Sequence, residues 1–181
     1  MKKSFIPFII PAAVLLISVS CSASKTVPSA ETIEELGFYP VTENREVPEI
    51  TFTDKDNNKL TLKDFRGSVV LINFWATWCP PCRAEMPSMQ KLSDTLSNTD
   101  FVMLPVNVQE KPDIVEQFMK DNNLTFSVYY DPDAEAAVKL GIMALPSSIL
   151  VDRNGNAVGI IQGAYDWNRT DFISMMKKWV K

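Results

Sequence analysis

Residues 69–75, Val-Val-Leu-Ile-Asn-Phe-Trp, are a nearly unbroken apolar run that leads directly into Ala76-Thr77-Trp78-Cys79-Pro80-Pro81-Cys82. Such a run, with no polar alternation, is the pattern of a strand buried on both faces. Beyond Cys82 the sequence continues through Arg83, Ala84, Glu85, Met86, Met89 and Leu92 with helical spacing. A buried strand feeding C-x-x-C at the start of a helix confines the chain to sheet-and-helix architectures and points to redox chemistry. A thiol at a helix N-terminus faces the positive end of the macrodipole and unpaired N–H groups, which favour the thiolate. Cys79 is therefore the expected nucleophile, and Cys82, within the first turn, the thiol that resolves a mixed disulfide.

The rest of the chain fits an α/β reading. Ile50–Thr53 and Leu60–Leu62 flank the turn-rich Asp54-Lys55-Asp56-Asn57-Asn58, which predicts a hairpin. Phe101–Val108 reads as a second buried strand, 112–122 and 134–140 as helices, and Ser148–Val151 with Ala157–Ile161 as a hairpin around Asp152-Arg153-Asn154-Gly155-Asn156. A last helix after Asp166 carries Phe172, Ile173, Met176 and Trp179 on one face. Strands alternating with helices, closed by a hairpin, predict a central mixed sheet flanked by helices.

Composition removes competing chemistries. With 22 acidic and 18 basic residues the net charge is −4, which argues against a nucleic-acid partner. No histidine is present, so Ser-His-Asp and Cys-His catalysis and His-ligated metals are excluded. The third and last cysteine, Cys21, is remote from the pair, too few thiols for a closed zinc site; neither metal nor cofactor is expected. A purely structural disulfide is the bland alternative, but a bridge closing so short a segment restrains the unfolded chain little.

Residues 1–20 open with Lys2 and Lys3, continue apolar from Phe5 to Val19 and reach small residues before Cys21, the pattern of an export signal. Pro7 and Pro11 break the run, which falls short of the ~20 residues a permanent span needs. Ser18-Val19-Ser20-Cys21 resembles a bacterial lipobox, with Ser18 where that pattern favours Leu, and implies lipidation of Cys21; cleavage after Ser20 or Ala23 without lipid is the alternative. Residues 21–47, rich in Ser, Thr, Glu and Pro, are expected to be a tether of about 30 Å. The competing reading packs Ile33, Leu36 and Phe38 on the domain, which is expected over 48–181.

The segment from Leu62 to Pro87, with Gly67, Phe74, Trp75 and Trp78-Cys79-Pro80-Pro81-Cys82 at its heart, closely resembles the thioredoxin-like thiol:disulfide oxidoreductases of the TlpA/ResA type, within the AhpC/TSA-redoxin-like profile. The resemblance implies a thioredoxin-like fold with an N-terminal β-hairpin and a helix-strand insertion over 112–130. Leu145-Pro146-Ser147 looks like that family's loop, implying a cis Pro146 and backbone groups on Leu145 that pair with substrate. An ordinary trans proline is the alternative.

Thioredoxin's buried Asp is replaced here by Asn73, which cannot act as a base. Glu85, one turn beyond Cys82, matches a glutamate of the reductase branch and is expected to carry the proton for Cys82; a solvated helix-start charge is the alternative. Pro80 and Pro81 offer Cys79 no N–H, which points towards the reducing end. Pro87 is expected to kink its helix. Trp78 is expected either to line the substrate surface or simply to pack. The resulting expectation is an exported, membrane-tethered reductase facing the periplasm or cell exterior, acting on disulfides of exported proteins and recharged by a membrane electron donor. A thiol peroxidase and a non-catalytic lipoprotein binding module are the alternatives. Peroxiredoxins need P-x-x-x-T-x-x-C, whereas Thr77 lies two residues before Cys79 rather than three.

Overall fold

In the computed structural model, which describes residues 26–43 and 45–180, the apolar run is the central strand of the sheet. Strand β4 (Val69–Trp75) is buried at every position. Its alternate residues feed two cores: Val69, Leu71 and Trp75 face one, Val70, Ile72 and Phe74 the other. The period-2 geometry of a strand makes this division, so a run apolar throughout has both faces covered.

The elements before β4 are α1 (Ala30–Glu35), β1 (Tyr39–Pro40), β2 (Thr51–Thr53) and β3 (Lys59–Thr61), with a 3₁₀ turn at Leu62–Phe65. After it come α2 (Pro80–Leu96), β5 (Phe101–Val108), α3 (Pro112–Asp121), β6 (Tyr129–Asp131), α4 (Glu135–Lys139), β7 (Ser147–Val151), β8 (Ala157–Gln162) and α5 (Thr170–Trp179). The eight strands lie in the order β1-β8-β7-β4-β5-β6-β2-β3. β4, β5 and β6 are parallel neighbours, and every other pairing is antiparallel. This is the expected mixed sheet of a thioredoxin-like fold, with both hairpins in place. Helices α2, α3 and α5 contribute to the core of Leu71 and Trp75, while α4 covers the opposite face through Ala136 and Ala137. Pro87 lies within α2 without ending it.

The expected tether requires correction. From Ser29 onwards, residues 21–47 belong to the domain rather than to a linker, so the boundary at 48 is too late. Ser29 caps α1 by accepting the Thr32 N–H at 3.2 Å, and Gly37, at φ +90°, turns the chain out of the helix. Tyr39 and Pro40 then pair with Ile160 and Gly159 of β8. Ile33, Leu36 and Phe38 are buried. A six-residue helix has no stability of its own, and these three contacts hold it. The approach is close: a Cβ on Gly159 would stand 2.8 Å from Cγ2 of Ile33. The signal segment 1–20 and Cys21 lie outside the described residues.

Candidate active site

Cys79 is the N-cap of α2, and Pro80 and Pro81 take the first helical positions. Cys79 and Cys82 are joined as a disulfide with an S–S distance of 2.11 Å. The first N–H that the helix can present after the two prolines is that of Cys82, which donates to Cys79 Sγ at 3.3 Å. Both sulfur residues are nearly covered, Cys79 being 3% exposed and Cys82 0%. Trp78, immediately before them, is 67% exposed, which removes the reading of that ring as core packing.

The Leu145–Pro146 peptide is cis, as the resemblance implies. Pro146 precedes β7, whose Ser147 and Ser148 pair with Phe74 and Asn73, so the proline loop lies at the end of the sheet from which the cysteine loop springs. The Pro146 carbonyl accepts the Gly163 N–H at 2.8 Å. Among the described residues the backbone N–H and C=O of Leu145 have no backbone partner.

Glu85 departs furthest from what a helix-start carboxylate usually does. It is 3% exposed, which excludes the solvated-charge reading. Helical periodicity turns it inward with Cys82, Met86 and Met89. Asn73 Nδ2 donates to Oε1 at 2.9 Å, while the Tyr165 N–H and the Trp167 indole N–H donate to Oε2 at 3.0 and 3.1 Å. Burial drives its pKa up from the ordinary 4.5 to about 7; the bonds from Tyr165, Asn73 and Trp167 oppose that rise only in part. Asn73 also donates to Ser148 Oγ at 2.9 Å, and its own Oδ1 is buried without a partner. An amide here can meet either state of Glu85: its NH₂ faces the carboxylate, and after rotation its carbonyl accepts from the protonated acid.

A second carboxylate, which the sequence reading missed, holds the loop ahead of the cysteines. Glu110, just beyond β5, accepts the Thr77 N–H at 2.7 Å and the Thr77 hydroxyl. It also accepts Asn107 Nδ2 at 2.8 Å. The available signal was Asn107, a polar residue at the end of a buried strand, followed by an acid three residues on. Tyr165 and Trp167 were missed because they act from a loop 80 residues downstream of Glu85. Among the described residues no cluster of His, Cys, Asp or Glu could hold a metal ion.

A disulfide at the start of a helix, beside a buried carboxylate whose pKa is raised to about 7 and a cis-proline loop, is equipped for thiol–disulfide exchange. Comparisons with known proteins agree. Residues 42–174 match the Redoxin family model. The chain is 35% identical over 119 residues to the thiol-disulfide oxidoreductase ResA of Bacillus thuringiensis subsp. konkukian, covering 66% of this chain and 69% of that protein. A thioredoxin-family thiol:disulfide interchange protein from Chlorobium tepidum TLS superposes with TM-score 0.64 at 26% identity, over 76% of this chain and 99% of that one. A secreted thiol-disulfide isomerase from Corynebacterium glutamicum superposes with TM-score 0.63 at 25% identity, over 73% and 84%. The chain thus belongs to the Redoxin family and stands among its ResA-like thiol-disulfide oxidoreductases.

Proposed function

We propose that this oxidoreductase works outside the cytoplasm, held to a membrane by a lipid on Cys21, and that it reduces disulfides of exported proteins. The observation that carries the chemistry is the Cys79–Cys82 disulfide at the N-terminus of α2, one turn from buried Glu85. Export and tethering are supported by the basic, apolar and small-residue succession over 1–21.

In the reduced enzyme the Cys79 thiolate attacks one sulfur of a client disulfide. The client S–S bond breaks, a Cys79–client disulfide forms, and the first client sulfur leaves as thiolate to be protonated. Glu85 as carboxylate takes the proton of the Cys82 thiol, and the Cys82 thiolate attacks Cys79 Sγ. This closes the enzyme disulfide and releases the second client thiolate, which takes a proton in turn. The client gains two electrons from the enzyme and two protons, one equivalent to that taken from Cys82 by Glu85 and one from solvent, where the proton of Cys79 went when that thiol ionised. A dithiol donor, in this reading a membrane-borne one, returns the pair to the reduced state. Exposed Trp78 and the backbone N–H and C=O of Leu145 offer the client an apolar contact and groups to pair with, beside Pro146.

A reducing rather than oxidising role is favoured by the two prolines, which leave the Cys82 N–H as the first-turn donor to the nucleophilic sulfur. A full-length Cys82→Ala variant tests the reading: stable mixed disulfides through Cys79 with exported proteins are expected. Absence of any trapped client, together with rapid peroxide turnover by the unaltered protein, would replace the reductase with a thiol peroxidase.

A further inference from the structure

The residues that hold the Glu85 carboxylate are themselves held by the N-terminal segment. Tyr165 and Trp167, which donate to Oε2, belong to the loop between β8 and α5. Phe38 packs against that loop from outside: its ring lies 5.5 Å from Tyr165 and 6.2 Å from Trp167, edge-on to both, and is stacked 6.0 Å from Phe172 at the start of α5. Tyr165 and Trp167 are in turn 4.8 Å apart. Arg169 strengthens the seam, with its guanidinium 5.3 Å from the centre of the Tyr165 ring and Nη1 donating to the Leu36 carbonyl at 3.5 Å. Ile33 anchors the same segment against Gly159 of β8.

We propose that Phe38 is a positioning residue for the redox reaction: through the Tyr165–Trp167 rings it keeps water from Glu85 and fixes the donors to its carboxylate. The inference rests on the reading of Glu85 as the proton carrier of Cys82. Asn73 of β4 faces the carboxylate, with Ser148 of β7 behind it, and Cys82 lies one turn before it on α2. Lys91 of α2, together with Asp166 and Tyr165 of the loop, lines the shallow surface cavity that Glu85 borders. Among the described residues no cation pairs with Glu85, so its environment is set by burial and by these neutral donors. Loosening the aromatic seam admits water and brings the carboxylate closer to ordinary acidity.

The test is a titration of the Glu85 carboxyl by carbon NMR in the full-length protein, assigned with Glu85→Gln and run beside the pH dependence of disulfide reduction. Phe38→Ala is expected to lower the Glu85 midpoint by about half a pH unit or more, roughly threefold in proton affinity, and to move the inflection of the rate with it. Phe38→Tyr, which keeps the ring, should restore both. Gly159→Ala, which forces Ile33 and Phe38 off β8 from the other side, should shift the midpoint in the same direction by less, and serves if Phe38→Ala does not fold. An unchanged midpoint in folded Phe38→Ala and Gly159→Ala proteins would overturn the positioning role. A midpoint that moves while the rate profile keeps its inflection would leave the packing argument standing and refute the proton-carrier reading of Glu85.

Discussion

Two carboxylates flank the cysteine loop, and both are held by an asparagine on a buried strand, yet the structure sets them in different surroundings. Glu85 takes the Asn73 amide of β4 and Glu110 the Asn107 amide of β5. Glu85 points inward from the second turn of α2, its donors include rigid backbone and indole groups, and its pKa rises to about 7. Glu110 sits at the rim, half-buried, and spends its oxygens on the backbone and hydroxyl of Thr77. The same pair of residue types gives a carboxylate of raised pKa, the carrier proposed above, where solvent is excluded and a partner for the Thr77 loop where it is not. Depth decides which, because desolvation penalises the charged form while hydrogen bonds favour it.

The largest expected break in this contrast comes from Glu85→Gln. A glutamine retains an oxygen for Tyr165 and Trp167 and presents an NH₂ that a rotated Asn73 carbonyl can accept, so the fold should survive. Resolution of the mixed disulfide at pH 7 should slow by a factor on the order of 10², and the inflection near neutrality should vanish from the rate profile. An unchanged profile would remove Glu85 from the mechanism. The same variant has a signature in stability. The unfolded chain releases this proton near 4.5 and the native protein near 7, so between those values the native state binds more protons. Stability must then fall as pH rises through that window, by something on the order of 3 kcal/mol at full effect. Glu85→Gln should flatten that fall when denaturant melts are compared at pH 5 and pH 7.5.

Asn73→Ala comes next in size. Loss of a donor to the ionised carboxylate should move the Glu85 midpoint further up, against the direction expected for Phe38→Ala, and lower stability by about 1–3 kcal/mol. A downward move would mean that water refills the space, and the amide would then be a filler rather than a partner. The smallest effect belongs to Glu110→Ala. Thr77 loses its clamp, and reduction should slow by a few-fold, under about 1 kcal/mol on the barrier. The position of the inflection should stay where it is. A shifted inflection would show that the two carboxylates act as one network and that the contrast drawn above is false.

The difference in legibility between the two sides of the site has a physical source. Cys79, Cys82 and Glu85 were readable because one strand and one helix place them, and the spacing of a helix turns sequence distance into direction. Glu110 lies 33 residues from Thr77 and Trp167 lies 82 residues from Glu85. Nothing local in either stretch announces the partner. The packing of Ile33, Leu36 and Phe38 on the domain was legible only as the alternative to a tether, since a six-residue helix in a Ser-, Thr- and Glu-rich stretch has too few turns to establish a period and decide between the two.

By itself, the sequence determined the mixed α/β sheet, the buried central strand, the place of both hairpins and the C-x-x-C at a helix start, because each rests on periodicity or turn chemistry within a short window. Only the tertiary structure decided that Glu85 is buried rather than solvated, that Glu110 holds Thr77, and that residues 29–41 are part of the domain. Those outcomes depend on which distant surfaces meet, and burial, which sets the acidity of a carboxylate, is a property of the packed whole.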